Sequence, residues 1–309
     1  VRHALMAVSY DMPDGQVQPI EALRARVTAM VGALCRAEDD REVGAALPGL
    51  IRDLHTTVAA GRGVAELLGL AAWLHTQTTA SWLSLAGAPL DLRSHAVMLA
   101  HRAAGDLGAP VPFGLAAAAG TRLLLASGAF DLAQARLDAV TVPTSTPETM
   151  QLAGSLALRH SVVAAADNRP AEAEAALESA AELAARTGEG NAYGLGFGPT
   201  NVGLFRIQGL LDVGDYERAA GVAAGVDPQA HDRARQAYYW ADYGRALARL
   251  PRRRDDAVVA LRRAERISPH LIQRGPVIRG VLAELLGKTK QDMTGLELRG
   301  MAYRAGLST

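Results

Sequence analysis

Helix-breaking residues interrupt this chain at nearly even intervals. They include Gly61 and Gly63, Gly87-Ala88-Pro89, Gly108-Ala109-Pro110, Gly128, Pro143 to Pro147, Asp167-Asn168-Arg169-Pro170, Gly214-Asp215, Pro251 and Gly275-Pro276. Segments of ordinary helix length lie between them. Leu115, Ala118, Ala119, Arg122 and Leu123 follow a helical period, and Ala171 to Arg186 is rich in strong helix formers. No stretch alternates apolar and polar β-branched residues in the manner of a strand. The pattern predicts an all-α chain of about fourteen helices, or about seven antiparallel pairs.

Four of the turns are alike. Gly128-Ala129-Phe130-Asp131-Leu132-Ala133 and Gly214-Asp215-Tyr216-Glu217-Arg218-Ala219 each lead into a helix that carries a small residue near its start. Weaker versions end at Ala173 and Ala257. A small residue there lets two antiparallel helices approach closely. The four alanines recur 40, 46 and 38 residues apart, the spacing of a helical repeat array. With 309 residues, 49% of them hydrophobic, the chain can bury a continuous core as a single α-solenoid.

Several function classes lack support. The formal net charge is zero, whereas a nucleic-acid binder is usually basic. The dense run Arg252-Arg253-Arg254 is followed by Asp255-Asp256 and reads as a solvated turn; lysine occurs only at Lys288 and Lys290. Cys35 is the sole cysteine, which rules out an internal disulfide and fits a reducing, cytoplasmic setting. No apolar run reaches the ~20 residues of a membrane-spanning helix, and no secretory leader is visible. Catalytic signatures such as a Walker loop, a G-x-S-x-G elbow or an H-E-x-x-H helix are missing, so no enzyme activity and no cofactor are expected. Gly194-Leu195-Gly196-Phe197-Gly198 lacks the spacing and strand context of a nucleotide loop and is expected to be a flexible helix-to-helix connection. Of the eight histidines, which include His231, His95 and His101 are six apart and point to different helix faces, so no shared metal is expected.

The segment from Thr200 to Pro228, with Gly214-Asp215-Tyr216 at its turn and Ala219 at its small position, resembles a tetratricopeptide repeat. A wider likeness rests on Gly196-Phe197-Gly198-Pro199-Thr200-Asn201-Val202, on Arg254 to Pro269, on Glu297 to Gly306 and on the opening Leu23-Arg24-Ala25-Arg26. These strings resemble actinobacterial helix-turn-helix transcriptional regulators of the XRE type, in which a DNA-binding domain precedes a long tetratricopeptide-like domain. The resemblance implies that this chain corresponds to the second domain. Residues 1–18 are then expected as a linker or N-terminal extension, and residues 19–309 as one repeat solenoid capped by helices near 277–287 and 293–306. No compact basic segment precedes Pro19, so DNA contact is expected only through a helix-turn-helix domain missing from this chain.

In such arrays the first helix of each pair lines a concave, ligand-binding groove. Aligning the chain on Ala219 places Asn201 and Gln208 there, and aligning it on Ala133 places Arg122. Looser alignments add Gln77, Ser81 and Tyr239. Eight of the fourteen aromatic residues fall between positions 193 and 243, among them Phe205, Tyr239 and Tyr243. Such clusters serve either repeat packing or a pocket. Together Gln77, Ser81, Arg122, Asn201, Phe205, Gln208, Tyr239 and Tyr243 form the candidate groove. The function expected is effector sensing and oligomerisation, with a small molecule or peptide in the groove and a homodimer as the assembly. The alternative is a protein–protein scaffold without a small-molecule ligand.

Overall fold

The computed structural model describes residues 1–36, 40–230, 232–287 and 291–307. His231, Lys288 and Lys290 lie outside the described residues. Among those described, the chain is all-helical, with sixteen helices packed in pairs and no strand. No described helix is long and apolar enough to cross a membrane.

The chain divides into two compact units, Val1–Gly198 and Pro199–Thr309. The first holds α1 (Arg2–Ser9), α2 (Ile20–Cys35), α3 (Asp40–Ala59) and α4 (64–85), followed by α5 (Leu90–Leu107), α6 (Pro110–Ala126), α7 (Phe130–Asp138), α8 (Pro147–Ala166) and α9 (Pro170–Thr187). The second holds α10 (Pro199–Asp212), α11 (Tyr216–Ala224), α12 (Arg233–Ala248), α13 (Arg254–Ile267), α14 (Pro269–Arg274), α15 (Pro276–Leu286) and α16 (Met293–Arg304). The helices beyond the expected fourteen include the short α1 and α14. Residues 1–18, read from sequence as an extension, carry α1, whose Ala4, Leu5 and Val8 join the core of the first unit.

Local chemistry explains where the helices start and stop. Gly108 ends α5 with φ 66°, a left-handed conformation that a residue without a Cβ adopts at little cost. Pro110 then opens α6, where its missing N–H is no loss. Thr146 caps α8 in a reciprocal capping box with Thr149, and Pro147 follows it. Asp232 and Asp292 cap α12 and α16 by accepting from the backbone N–H of Arg235 and Gly295.

The repeated turns place their alanines identically. Ala133, Ala173, Ala219 and Ala257 are each the fourth residue of α7, α9, α11 and α13. In each case the alanine N–H makes the helix's first backbone bond, to Ala129, Arg169, Asp215 and Arg253, at 3.0, 3.1, 3.0 and 3.0 Å. Their exposures are 0%, 9%, 0% and 0%. All four methyl groups are buried, as a small side chain at a close helix approach would be.

In the second unit the strings Arg254 to Pro269 and Glu297 to Gly306 meet through a buried carboxylate. Glu265 is 3% exposed. It accepts two hydrogen bonds from Arg304, both at 2.8 Å, and one from Arg262 at 2.6 Å. Burial alone would raise its pKa, but the two guanidinium groups outweigh it and hold the carboxyl below its ordinary value. Arg262 also pairs with Glu297, so α13 and α16 are joined by a four-residue network.

Enlarging one of the four alanines tests the close approach. Ala219→Leu is expected to destabilise the protein by about 1–3 kcal/mol through overpacking. The same change at exposed Ala135 on α7 is expected to cost less than about 0.5 kcal/mol. Urea titrations of both variants, followed by circular dichroism, measure the difference.

Candidate functional site

The candidate site is an apolar cleft of about 550 Å³ in the first unit, built by three consecutive helices. Each contributes one stripe at helical spacing. From α6 come Phe113, Ala117, Gly120 and Leu124. From α5 come Ser94, Val97, Met98 and His101, and from α7 come Leu132, Ala135 and Arg136, with Ala139 just past its end. The middle of the α6 stripe is small, and that leaves the space. Met98 and Leu132 line the cleft yet are 68% and 59% exposed, so large apolar groups meet solvent there.

Two polar groups stand out in this lining. His101 packs edge-on against Phe113, with ring centroids 5.8 Å apart. Arg136 donates from Nη1 to His101 Nε2 over a long 3.5 Å. Burial, and then the nearby Arg136, lower the His101 pKa; burial lowers that of Arg136. His101 is therefore neutral near pH 7, and the half-buried guanidinium faces no carboxylate among the described residues. Gly120 makes room for it, because a Cβ at that position would lie 3.1 Å from Arg136 Nε.

A second, smaller cleft of about 210 Å³ is lined by Asp11, His55, Arg102 and Asp106 with apolar neighbours. Its arginine is already paired, Arg102 lying 3.5 Å from Asp11. Its half-buried His55 pairs with the buried His75, the two Nε2 atoms lying 2.9 Å apart. His75 lies in the π-helical turn Leu74–Thr79 that interrupts α4, and it is fully buried. One ring donates to the other according to the tautomer, and His75 Nδ1 has no hydrogen-bond partner. Nearby, His95 bonds Ser9 at 2.5 Å while His101 faces the larger cleft, so the two histidines do point to different surroundings. Among the described residues no three His, Cys, Asp or Glu side chains are grouped to hold a metal.

The eight residues selected from the sequence line neither cleft. Gln77, Ser81 and Arg122 belong to the first unit; Asn201, Phe205, Gln208, Tyr239 and Tyr243 belong to the second. Arg122 is exposed on α6, roughly opposite the stripe that forms the cleft. Gln77 and Ser81 are half-buried on α4, and Gln77 sits beside the segment 188–198 near Gly194. Its last five residues, 194–198, were expected to be flexible, but Gly196 N–H donates to Asn191 Oδ1 at 2.7 Å, and the backbone just before them is held as well. Gln151 Oε1 accepts from Ala192 N–H at 2.9 Å, Trp73 Nε1 donates to the Tyr193 carbonyl at 2.8 Å, and Phe197 is buried over Gly154.

On α10, Asn201, Phe205 and Gln208 share a face, with Asn201 buried in the first turn, Phe205 half-buried and Gln208 exposed. Tyr239 is 4% exposed, and its hydroxyl donates to the Ala223 carbonyl at 2.9 Å, so it forms part of the second unit's core. Tyr243 is half-buried against Tyr239 and Trp240. Sequence reasoning missed Arg136, Gly120 and His101. The available signal was three successive segments whose helical stripes combine small and apolar residues with one histidine and one arginine.

Compared with known proteins, the chain matches no protein family, no curated protein and no solved structure.

The histidine pair makes stability depend on pH. Burial, with the charge of Arg102, depresses His55 from 6.5 to about 4, and burial depresses His75 well below 6.5. Both are neutral when folded, whereas the unfolded chain takes up protons below about 6.5. Their contribution is therefore complete above that pH and is lost as pH falls toward 4, by about 3 kcal/mol for His55. Urea midpoints measured from pH 7.5 to 4.5 should fall below 6.5. The double variant His55→Leu/His75→Leu should show a flatter decline; an unchanged slope would remove the pair from the account.

Proposed function

We propose that this chain is the effector-sensing and oligomerisation domain of a transcriptional regulator, built as an α-solenoid of tetratricopeptide-like hairpins, and that its effector is a small molecule held in the α5–α6–α7 cleft. The observation that carries this reading is an open apolar cleft of about 550 Å³ containing an arginine that no carboxylate among the described residues neutralises. Small-molecule sites have this size, this apolar lining and this scarcity of polar groups. The four equivalent buried alanines support the repeat reading. The strings that resemble XRE-type regulators support assignment to that class, and a homodimer in the cytoplasm fits it.

Sensing requires more than binding. The effector must favour one arrangement of the helices over another by its differential affinity, since equal affinity for both shifts nothing. The cleft suits that requirement because its walls are three consecutive helices, so a bound molecule bears directly on their packing.

A thermal-shift screen of neutral, cationic and anionic small molecules tests the reading. Effectors are expected to raise the melting temperature of the native chain. They should lose their effect in Ala135→Trp, which fills the cleft from an exposed position on α7. Arg122→Ala and Gln208→Ala, both exposed and away from the cleft, should retain the full shift. Stabilisation lost in Arg122→Ala or Gln208→Ala but kept in Ala135→Trp would move the site elsewhere. A partner protein whose binding survives Ala135→Trp, with no small-molecule hit, would favour the scaffold function.

A further inference from the structure

We infer that the cleft takes an amphipathic organic monoanion, a carboxylate whose head pairs with Arg136 and whose apolar body lies along Phe113, Ala117 and Leu124. The inference deepens the sensing reading above and rests on it. Charge complementarity is its first argument. A guanidinium presents five N–H donors in a planar fork, and a carboxylate meets two of them at once. Arg136 uses its one observed hydrogen bond on a neutral imidazole at 3.5 Å. Two other partly buried arginines are held by carboxylates, Arg245 by Asp242 at 2.7 Å and Arg304 by Glu265 at 2.8 Å, whereas Arg93 bonds a hydroxyl, that of Ser84, at 3.2 Å. Arg136 has neither kind of partner among the described residues and alone of these four lines the apolar cleft.

Size and wall chemistry narrow the class. A volume of about 550 Å³ with mostly alanine, leucine, valine and phenylalanine walls suits a hydrocarbon or aromatic body. Met98 and Leu132, exposed beside it, extend the apolar surface outward. A single guanidinium beside a neutral histidine balances one negative charge. A phosphate monoester, with nearly two charges at pH 7, would leave one uncompensated. Gly120 keeps the fork unobstructed, since any side chain there crowds Arg136 Nε and Cδ.

Calorimetric titration of the purified chain with octanoate, 1-octanol and octyl phosphate at pH 7.5, all below aggregation, tests this. Octanoate is expected to bind roughly tenfold more tightly than octanol, the worth of one charge-assisted pair, and also more tightly than octyl phosphate. Arg136→Leu should reduce the octanoate preference over octanol to below about twofold while octanol still binds, and Arg136→Lys should restore part of it. Ala135→Trp should abolish both, with an unchanged helical circular dichroism spectrum. Absent octanoate binding, equal binding of octanol, tighter binding of octyl phosphate, or an unaltered preference in Arg136→Leu overturns the inference. The sensing reading fails separately, when no compound of any charge class binds in an Ala135-dependent way.

Discussion

A methyl group at the fourth residue of α7, α9, α11 and α13 sets how closely these helices approach their neighbours. Hydrophobic burial supplies the driving force for pairing, but it is not directional. Direction comes from the turn: a left-handed or capped residue ends one helix, the next begins, and a small side chain on its first full turn meets the facing wall. The same geometry recurs at four turns, which suits a chain rich in alanine and poor in aromatic residues.

The same use of small residues leaves space where no partner fills it. Along α6, Ala117 and Gly120 would have to be larger to close the gap between α5 and α7. Charge placement then distinguishes two settings for arginine. Glu265 gathers Arg262 and Arg304 into a buried network that joins two helices, and breaking it would strand charge. Arg136 has been drawn partly out of water without that compensation. A desolvated guanidinium beside an apolar cavity is costly to keep, and an anionic guest would relieve the cost.

Much of the architecture was legible in the sequence because it is encoded locally. Pro110, Pro147, Pro170 and Pro276 open helices, and Gly108 ends one through its own backbone preference. The equivalence of Ala133, Ala173, Ala219 and Ala257 followed from turn chemistry and spacing, both short-range signals. What the sequence concealed depends on long-range packing. Tyr239 belongs to an aromatic cluster that reads equally well as pocket or core, and only the Ala223 carbonyl 16 residues away settles its hydroxyl. Arg122 and the cleft lie on opposite faces of one helix, and nothing within that helix says which face stays open. Phe197 reads as part of a loose glycine-rich connection until Gly154, distant in sequence, is seen beneath its ring.

The most direct test of this account is a crystal structure of the chain with 8-bromooctanoate, in which anomalous scattering locates the bromine. The account predicts a bromine peak between α5, α6 and α7, with the carboxylate within hydrogen-bond distance of the Arg136 guanidinium. A bromine found beside Arg122 or on α10, or a cleft closed by α7 packing onto α5 around an empty interior, would contradict it.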